Sequence, residues 1–302
     1  MSYAMTTTNL EIVADQGDLC GEGPLWDPVD QRLYWTDAAA KAVHVLDRSN
    51  GAVRLLTSEV QVSAIALHAD GGLLFAGGQG FARLSREGKL ESISVECDGK
   101  APNQLNEMIA DPRGRVFAGQ QVYSEQEQYQ PGCLFRLDPG RRLFIVEEGL
   151  HVSNGMAFSP DHRTFYLVDS VPRNIYAYDY DLETGNISNR RTLVTLGRED
   201  GLPDGITVDA NGFLWVARWY GAGLSRYDPD GRLERKIGLP ALQTSSLTSG
   251  GPELDEIYVT SAKEAWPSAL APRGYDYTAA QGGALYRLRL GIQGVPEHRA
   301  MV

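Results

Sequence analysis

The stretch GMAFSPDHRTFYLVD, residues 155–169, contains two apolar runs separated by a polar turn. The turn carries Pro160 and Asp161, which favour chain reversal because Pro presets φ and Asp bonds nearby backbone groups. The second run, residues 165–168, is aromatic, aliphatic and β-branched, a composition typical of a buried strand. The stretch therefore predicts a β-hairpin.

The same pattern recurs along the chain. The other copies are PLWDPVDQRLYWTD (24–37), AIALHADGGLLFAG (64–77), EMIADPRGRVFAG (107–119), GITVDANGFLWVA (205–217) and SLTSGGPELDEIYVTS (246–261). When the second strands are aligned, one apolar residue of each copy falls in register: Tyr34, Leu74, Phe117, Tyr166, Trp215 and Tyr258. By subtraction these residues are 40, 43, 49, 49 and 43 positions apart, which is close to the length of a four-stranded propeller blade.

Six copies of this length predict an all-β, six-bladed β-propeller that forms a single domain over residues 1–302. No segment longer than about ten residues shows helical periodicity, which argues against an α/β barrel. The segment NLEIVAD (9–15) is expected to pair with ALYRLRL (284–290). Such a pairing would close the ring and remove a free sheet edge.

The composition limits the classes of partner. The net charge of −11 disfavours nucleic acid and anionic membranes, because both require a basic surface. No run approaches the roughly 18 apolar residues of a membrane span. The first residues, MSYAMTTTNLEIVAD, have neither a basic region nor an apolar core, so no secretion signal is recognised. Three widely spaced cysteines fit a reducing compartment, and a cytoplasmic location is predicted.

Polar residues lie at the head of each repeat, eleven or twelve positions before the aligned residue. They are Glu22, Ser63, Asn106, Asn154, Asp204 and Ser246. The first strand of a propeller blade is innermost, so these side chains are expected to form an oxygen-lined ring around the central channel. Buried like charges are costly unless a cation lies between them, and oxygen ligands favour Ca²⁺, Mg²⁺ or Mn²⁺, although Zn²⁺ also accepts carboxylate oxygen. The alternative is that these residues only cap turns.

Other residues near these polar positions can be interpreted as structural or as functional. Cys20 is either a small buried hydrophobe or a functional thiol, and His151 is either a structural residue or part of the channel border. The same choice between ordinary loop residue and pocket rim applies to a further group: Arg218, Trp219, Tyr220 and Lys263.

Several stretches together resemble the gluconolactonase, senescence marker protein (regucalcin) and luciferin-regenerating enzyme family. They are GEGPLWDPVDQRLYWTD (21–37), SNGMAFSPDHRTFYLVDS (153–170), LPDGITVDANGFLWVA (202–217), SLTSGGPELDEIYVTSA (246–262) and GGALYRLRLGIQGVPEHR (282–299). The resemblance implies a six-bladed propeller that hydrolyses sugar lactones such as gluconolactone. It also implies one divalent metal in the channel, held by Glu22, Asn154 and Asp204.

The third repeat departs from the family pattern. Where many members carry Arg-x-Asn-Asp-Gly, this chain has Gln104-Leu105-Asn106-Glu107-Met108. The resemblance implies that Asn106 and the residue at position 104 hold substrate hydroxyls, but here a neutral amide replaces a charged bidentate donor. An acidic residue often assists in the family after this repeat. Glu125 is one position away from its place, and no role is assigned to it.

The sequence therefore favours a metal-dependent hydrolase that opens lactones, with a small-molecule lactone as its partner. The bound ion is expected to be Ca²⁺, with Zn²⁺, Mn²⁺, Mg²⁺ and Fe²⁺ as alternatives. Asp204 is the candidate general base that takes a proton from the attacking water. Two alternatives stay open: a phosphotriesterase-like or aryl-esterase-like hydrolase on the same scaffold, and a non-enzymatic calcium-binding propeller. The sequence contains no Gly-x-Ser-x-Gly nucleophile motif.

Overall fold

The protein is described by a computed structural model that covers residues 9–123, 129–264 and 268–302. The described residues are almost entirely β-structure. The first strands are β1 (Asn9–Ala14), β2 (Gly21–Asp27), β3 (Arg32–Asp37), β4 (Ala42–Asp47), β5 (Ala52–Thr57), β6 (Ala64–His68), β7 (Leu73–Gly77), β8 (Gly80–Leu84) and β9 (Leu90–Ile93). The next are β10 (Leu105–Ala110), β11 (Val116–Gln120), β12 (Val122–Tyr123), β13 (Tyr129–Gln130), β14 (Gly132–Asp138), β15 (Arg142–Leu150), β16 (Ser153–Phe158), β17 (Thr164–Asp169), β18 (Asn174–Tyr180) and β19 (Ile187–Thr195).

After a short 3₁₀ helix (Arg198–Asp200), eight more strands complete the described chain. They are β20 (Leu202–Val208), β21 (Leu214–Trp219), β22 (Gly223–Tyr227), β23 (Leu233–Gly238), β24 (Thr244–Gly250), β25 (Glu256–Ser261), β26 (Leu285–Arg289) and β27 (Arg299–Ala300). No helix of the described residues has the length and apolar character needed to cross a membrane.

The strands form six antiparallel blades, as predicted. Blades I to VI begin with β2, β6, β10, β16, β20 and β24, and each of these inner strands contacts the next around a closed ring. Blade VI is completed by β1, which pairs antiparallel with β26 through contacts such as Leu10 with Leu288. The expected closure of the ring by the N-terminal segment is therefore confirmed.

The hydrophobic core lies between neighbouring blades. The aligned residues of the six second strands are all buried, with exposed fractions between 0 and 7%. Aromatic rings pack across the blade junctions. For example, Phe117 of blade III and Phe165 of blade IV have ring centroids 5.0 Å apart, and Trp26 of blade I stacks on Tyr258 of blade VI at 5.9 Å. This packing fixes each blade against the next and so positions the inner strands around the axis.

Two further elements differ from the simple repeat. β12 and β13 form a small two-stranded sheet between β11 and β14 in the chain, and residues 124–128 lie outside the described chain. Near the C-terminus β27 pairs in parallel with β6, as a fifth strand of blade II. The C-terminal segment thereby crosses towards the base of the channel.

Candidate metal centre

Most of the predicted ring residues lie at irregularities in the pairing of the first two strands of their blades. The register shifts fall between residues 22 and 25, 105 and 107, 153 and 156, and 203 and 206. A β-bulge redirects a side chain that regular pairing would point into the core. Glu22, Asn154 and Asp204 lie within the first strands of their blades, β2, β16 and β20.

The sixth member of the ring is corrected by the strand register. Tyr258 pairs with Thr248, whereas the equivalent Tyr34 pairs with Leu25, three positions after Glu22. The position equivalent to Glu22 in blade VI is therefore Ser245, not Ser246. The cause is the turn: Gly250 pairs with Glu256 and leaves five residues between them, one more than in the first blade.

The glycine after a ring residue is required by close packing between blades. A Cβ on Gly155 would lie 2.4 Å from the backbone nitrogen of Ile206 in blade V. A Cβ on Gly205 would lie 2.1 Å from the Ser246 hydroxyl oxygen in blade VI. The Asn-Gly and Asp-Gly pairs therefore reflect contact between inner strands, which brings Asn154 and Asp204 onto adjacent walls of the channel.

The two carboxylates of the ring interact strongly. Burial raises the pKa of Glu22 well above its usual value, and the negative charges of Asp204 and Glu107 raise it further. Burial also raises the pKa of Asp204, with a smaller rise from Glu107 and an opposing hydrogen bond from the Asn154 side chain. The structure thus brings Glu22, which is half-buried, close to the buried side chains of Asn154 and Asp204.

The donor set fits a bound cation. Asp204 is 4% exposed, and its Oδ1 is buried with no hydrogen-bond partner among the described residues. A buried carboxylate oxygen without a donor is costly, and a cation would satisfy it together with the charge on Glu22. The described residues contain no cluster of three or more His, Cys, Asp or Glu side chains suited to metal binding. Two of the three side chains that would hold the cation are carboxylates, Glu22 and Asp204, and the third is the Asn154 amide.

Hydrogen bonds between blades hold the inner strands in position. At four of the six blade junctions, a side chain of one blade donates to the carbonyl of the residue that precedes a ring position in the next blade. The donor and acceptor pairs are Thr36 to Val62, Asn106 to Ser153, Ser170 to Pro203 and Ser245 to Gly21. Because each acceptor is adjacent to a ring residue, these bonds set the spacing of the ring itself.

Two aspartates that support the ring were not recognised from the sequence. Asp37 accepts from the backbone N–H groups of Leu19 (2.7 Å) and Cys20 (3.1 Å), and so fixes the segment that leads to Glu22. Asp169 accepts in the same way from Val152, at 3.1 Å, before Asn154. Both close the second strand of their repeats, in YWTD and YLVD. An acidic residue recurring at that position was the available signal.

The two residues predicted to bind substrate are partly engaged with the protein. The Asn106 Nδ2 donates to the Ser153 carbonyl at 3.1 Å, which leaves its oxygen as the group that can face a ligand. Gln104 is exposed, has a left-handed φ of 49°, and accepts a hydrogen bond from the Tyr123 backbone N–H at 3.2 Å. The Gln104 side chain therefore contacts the end of β12. Glu125 lies outside the described residues.

Tyrosine side chains occur in the β12–β13 hairpin and after β21. Burial raises the pKa of Tyr129, and the neighbouring Tyr123 phenol and the negative charge of Asp204 raise it further. Tyr220 of blade V is 7% exposed, adopts a left-handed φ of 65° and packs edge-on against Tyr275 with centroids 4.9 Å apart. A bulky residue held at positive φ is uncommon and requires support from its surroundings.

The remaining candidates have mainly structural surroundings. Burial raises the pKa of the Cys20 thiol, and the charges of Glu22 and Asp204 add to that rise, so the thiol is kept protonated beside the site. The His151 ring nitrogen lies 3.8 Å from the Asp169 carboxylate. Arg218 is buried within blade V, and Lys263 is exposed after blade VI.

Below the ring, the channel contains a cavity of about 50 Å³ lined by residues from all six inner strands and by the C-terminal segment. Burial raises the pKa of Glu107 to about 7, and that of Glu297 to about 7 as well. The base of the channel therefore carries two further acidic groups that hold protons near neutral pH. Its lining includes Glu107, Glu297 and His298.

A six-bladed propeller with an oxygen-lined channel defines a broad class, and comparison with known proteins identifies the family. Residues 20–263 match the SMP-30/Gluconolactonase/LRE-like region. A pentonolactonase of Haloferax volcanii is 36% identical over 298 residues, which cover 99% of this chain and 99% of that protein. Regucalcin of Homo sapiens is 34% identical over 297 residues, which cover 96% and 98%.

Among solved structures, luciferin-regenerating enzyme superposes with a TM-score of 0.87 at 30% identity, over 98% of this chain and 100% of that chain. The chain belongs to the SMP-30/gluconolactonase/LRE-like family. The resemblance noted in the sequence is thereby confirmed, and so is the propeller fold.

Proposed function

We propose that the protein is a divalent-metal-dependent lactonase that opens sugar lactones. The observation that carries this proposal is the group of Glu22, Asn154 and Asp204, in which the buried Asp204 Oδ1 lacks a donor among the described residues. A pentonolactonase similar over nearly the whole chain supports lactones as the substrate class.

Glu22, Asn154 and Asp204 would hold the cation. When bound, a divalent ion polarises the substrate carbonyl and makes a water molecule more acidic. Asp204 takes the proton of the attacking water as that water adds to the lactone carbonyl. The ring C–O bond then breaks, and the same proton can pass to the departing ring oxygen, so that the product is an open-chain hydroxy acid. The Asn106 oxygen accepts a hydrogen bond from a substrate hydroxyl.

A related hydrolase for phosphotriesters or aryl esters is the second candidate, because it would use the same oxygen-lined group. A substrate panel separates the two functions. Metal-loaded protein is assayed by pH-stat with aldonolactones, a phosphotriester and an aryl ester. We expect turnover of the aldonolactones to exceed that of the other two. Phosphotriester turnover with inert lactones would replace the proposed function by the second candidate. Tight cation binding without any turnover would favour a calcium-binding propeller.

The exchange Gln104→Arg is expected to shift substrate preference. Arg supplies a charged bidentate donor, so lactones that carry a carboxylate should gain in kcat/KM relative to neutral lactones, by about tenfold for a charge-assisted hydrogen bond. The Gln104 side chain also secures the Tyr123 backbone, so Gln104→Leu serves as the control that loses the hydrogen bond without adding charge. Equal ratios of charged to neutral turnover in all three proteins would show that position 104 does not contact the substrate.

A further inference from the structure

Ser170 is a buried hydroxyl that contacts two parts of the candidate centre at once. It follows β17 in blade IV and is 4% exposed. Its Oγ donates to the Pro203 carbonyl at 2.7 Å and accepts from the Asn154 Nδ2 at 3.2 Å. Pro203 directly precedes Asp204, so one hydroxyl links the side chain of Asn154 to the backbone that carries Asp204.

The chemistry of these groups fixes the direction of both hydrogen bonds. A serine hydroxyl has a single proton, and a carbonyl can only accept. Ser170 must therefore use its proton at Pro203, so it can only accept from Asn154. The NH₂ end of the Asn154 amide is therefore held on the Ser170 side. The amide oxygen is left as the free end of the side chain.

This orientation matters because the two ends of a carboxamide are not equivalent. The oxygen binds a hard cation, whereas the NH₂ group is a donor that would repel it. A flip of Asn154 by 180° would exchange the two ends without changing the shape of the side chain. In the flipped state the amide oxygen would face the lone pairs of Ser170, whose only proton is already committed.

We infer that Ser170 is a positioning residue that sets the orientation of the Asn154 amide, so that its oxygen and not its nitrogen is presented to the cation. The inference rests on the proposed function, since it assumes a cation at this group. Other hydroxyls link neighbouring blades in the same way. Thr36, for example, donates to the Val62 carbonyl at 2.7 Å, but its hydroxyl bonds only backbone carbonyls.

Cation affinity tests this role without requiring turnover. Ca²⁺ is titrated calorimetrically into the chelator-treated full-length protein and its variants. Ser170→Ala should weaken Ca²⁺ binding by about 10- to 100-fold, the usual effect of losing a partner that orients a metal ligand. Ser159→Ala is the matched control, because it removes a buried hydroxyl of the same blade that bonds only Asp161, Arg163 and Thr164 within its own turn. It should leave the dissociation constant unchanged.

A second background separates orientation from simple packing. In Asn154→Asp both ends of the side chain are oxygen, so a flip has no consequence and the effect of Ser170→Ala on Ca²⁺ affinity should disappear. Equal weakening in both backgrounds, or none in the parent protein, would overturn the positioning role while leaving the proposed function intact. A parent protein that binds neither Ca²⁺ nor Mn²⁺ would overturn both. Ser170→Cys, of similar volume but a weak donor, provides the same comparison if the alanine variant does not fold.

Discussion

Asp204→Ala is expected to abolish lactone hydrolysis, with a loss in kcat/KM of at least about 10³-fold. Loss of a general base alone accounts for about 10²–10⁴-fold. Asp204 also contributes to the buried carboxylate pair that would hold the cation, so the alanine variant loses two functions together. The measurement is initial rate by pH-stat on an aldonolactone at saturating Ca²⁺ or Mn²⁺.

Asp204→Asn distinguishes these two contributions, because it keeps the shape and one acceptor oxygen but cannot take a proton. We expect weakened cation affinity that high Ca²⁺ restores, with turnover remaining low at saturation. Asp255→Asn, at an exposed position in the blade VI turn, is the control for removal of one negative charge. Wild-type turnover by Asp204→Ala with the cation still bound would eliminate this residue as the base.

Removal of the cation is the second change with a large expected effect. Chelator-treated protein should lose its lactonase activity, and Ca²⁺, Mn²⁺, Zn²⁺, Mg²⁺ and Fe²⁺ added singly should identify the working ion. A ligand that binds only the folded state stabilises that state by about 2.7 kcal/mol when its free concentration is 100 times its Kd. For a chain of 302 residues that corresponds to a rise in Tm of roughly 4 °C.

The stabilisation by Ca²⁺ is expected to depend on pH. In the metal-free folded protein the pKa values of Glu22 and Asp204 are raised by burial, so the folded state holds protons that the unfolded chain releases above about pH 4. Metal-free stability therefore falls as pH rises from about 4 towards the raised values. Because Ca²⁺ competes with those protons, the Tm increase should be small near pH 5 and large at pH 8.

The double variant Glu22→Gln/Asp204→Asn tests the origin of that effect. It removes both charges while preserving volume, so it should be more stable than the metal-free parent at pH 8 and should not respond to Ca²⁺. If Ca²⁺ raises the Tm of the double variant as much as that of the parent, the ion binds elsewhere on the protein.

The arrangement of blades followed from local sequence patterns. Each repeat pairs an apolar strand with an aromatic one through a turn rich in Pro, Asp or Gly, and the hydrophobic effect buries both against the neighbouring blade. The register of Tyr34, Phe117 and Trp215 could be counted because strand pairing within a hairpin is local. The same count of positions predicted Ser246 as the ring residue of blade VI and was wrong, because the turn of that blade is one residue longer and shifts the strand pairing by one position.

The site was predictable only in part. Glu22, Asn154 and Asp204 stand out in a sequence because oxygen-bearing side chains interrupt apolar strands at the same point of three repeats. Their convergence is indicated by the fold, since inner strands face one axis. The structural role of Gln104 was not predictable from the sequence. Its hydrogen bond to the Tyr123 backbone joins segments whose relative placement depends on the loop, not on the repeat.

What the sequence alone determined is therefore what is periodic or local: the blades, their closure by the first strand, and the ring position of every repeat except the last. Only the tertiary structure revealed the supports between blades, such as Ser170 bonding to Pro203, 33 residues away in the chain. The direction of such a bond depends on a single proton and on which carbonyl comes within 3 Å of it. Close packing of two blades decides that distance, and no pattern along one strand encodes it.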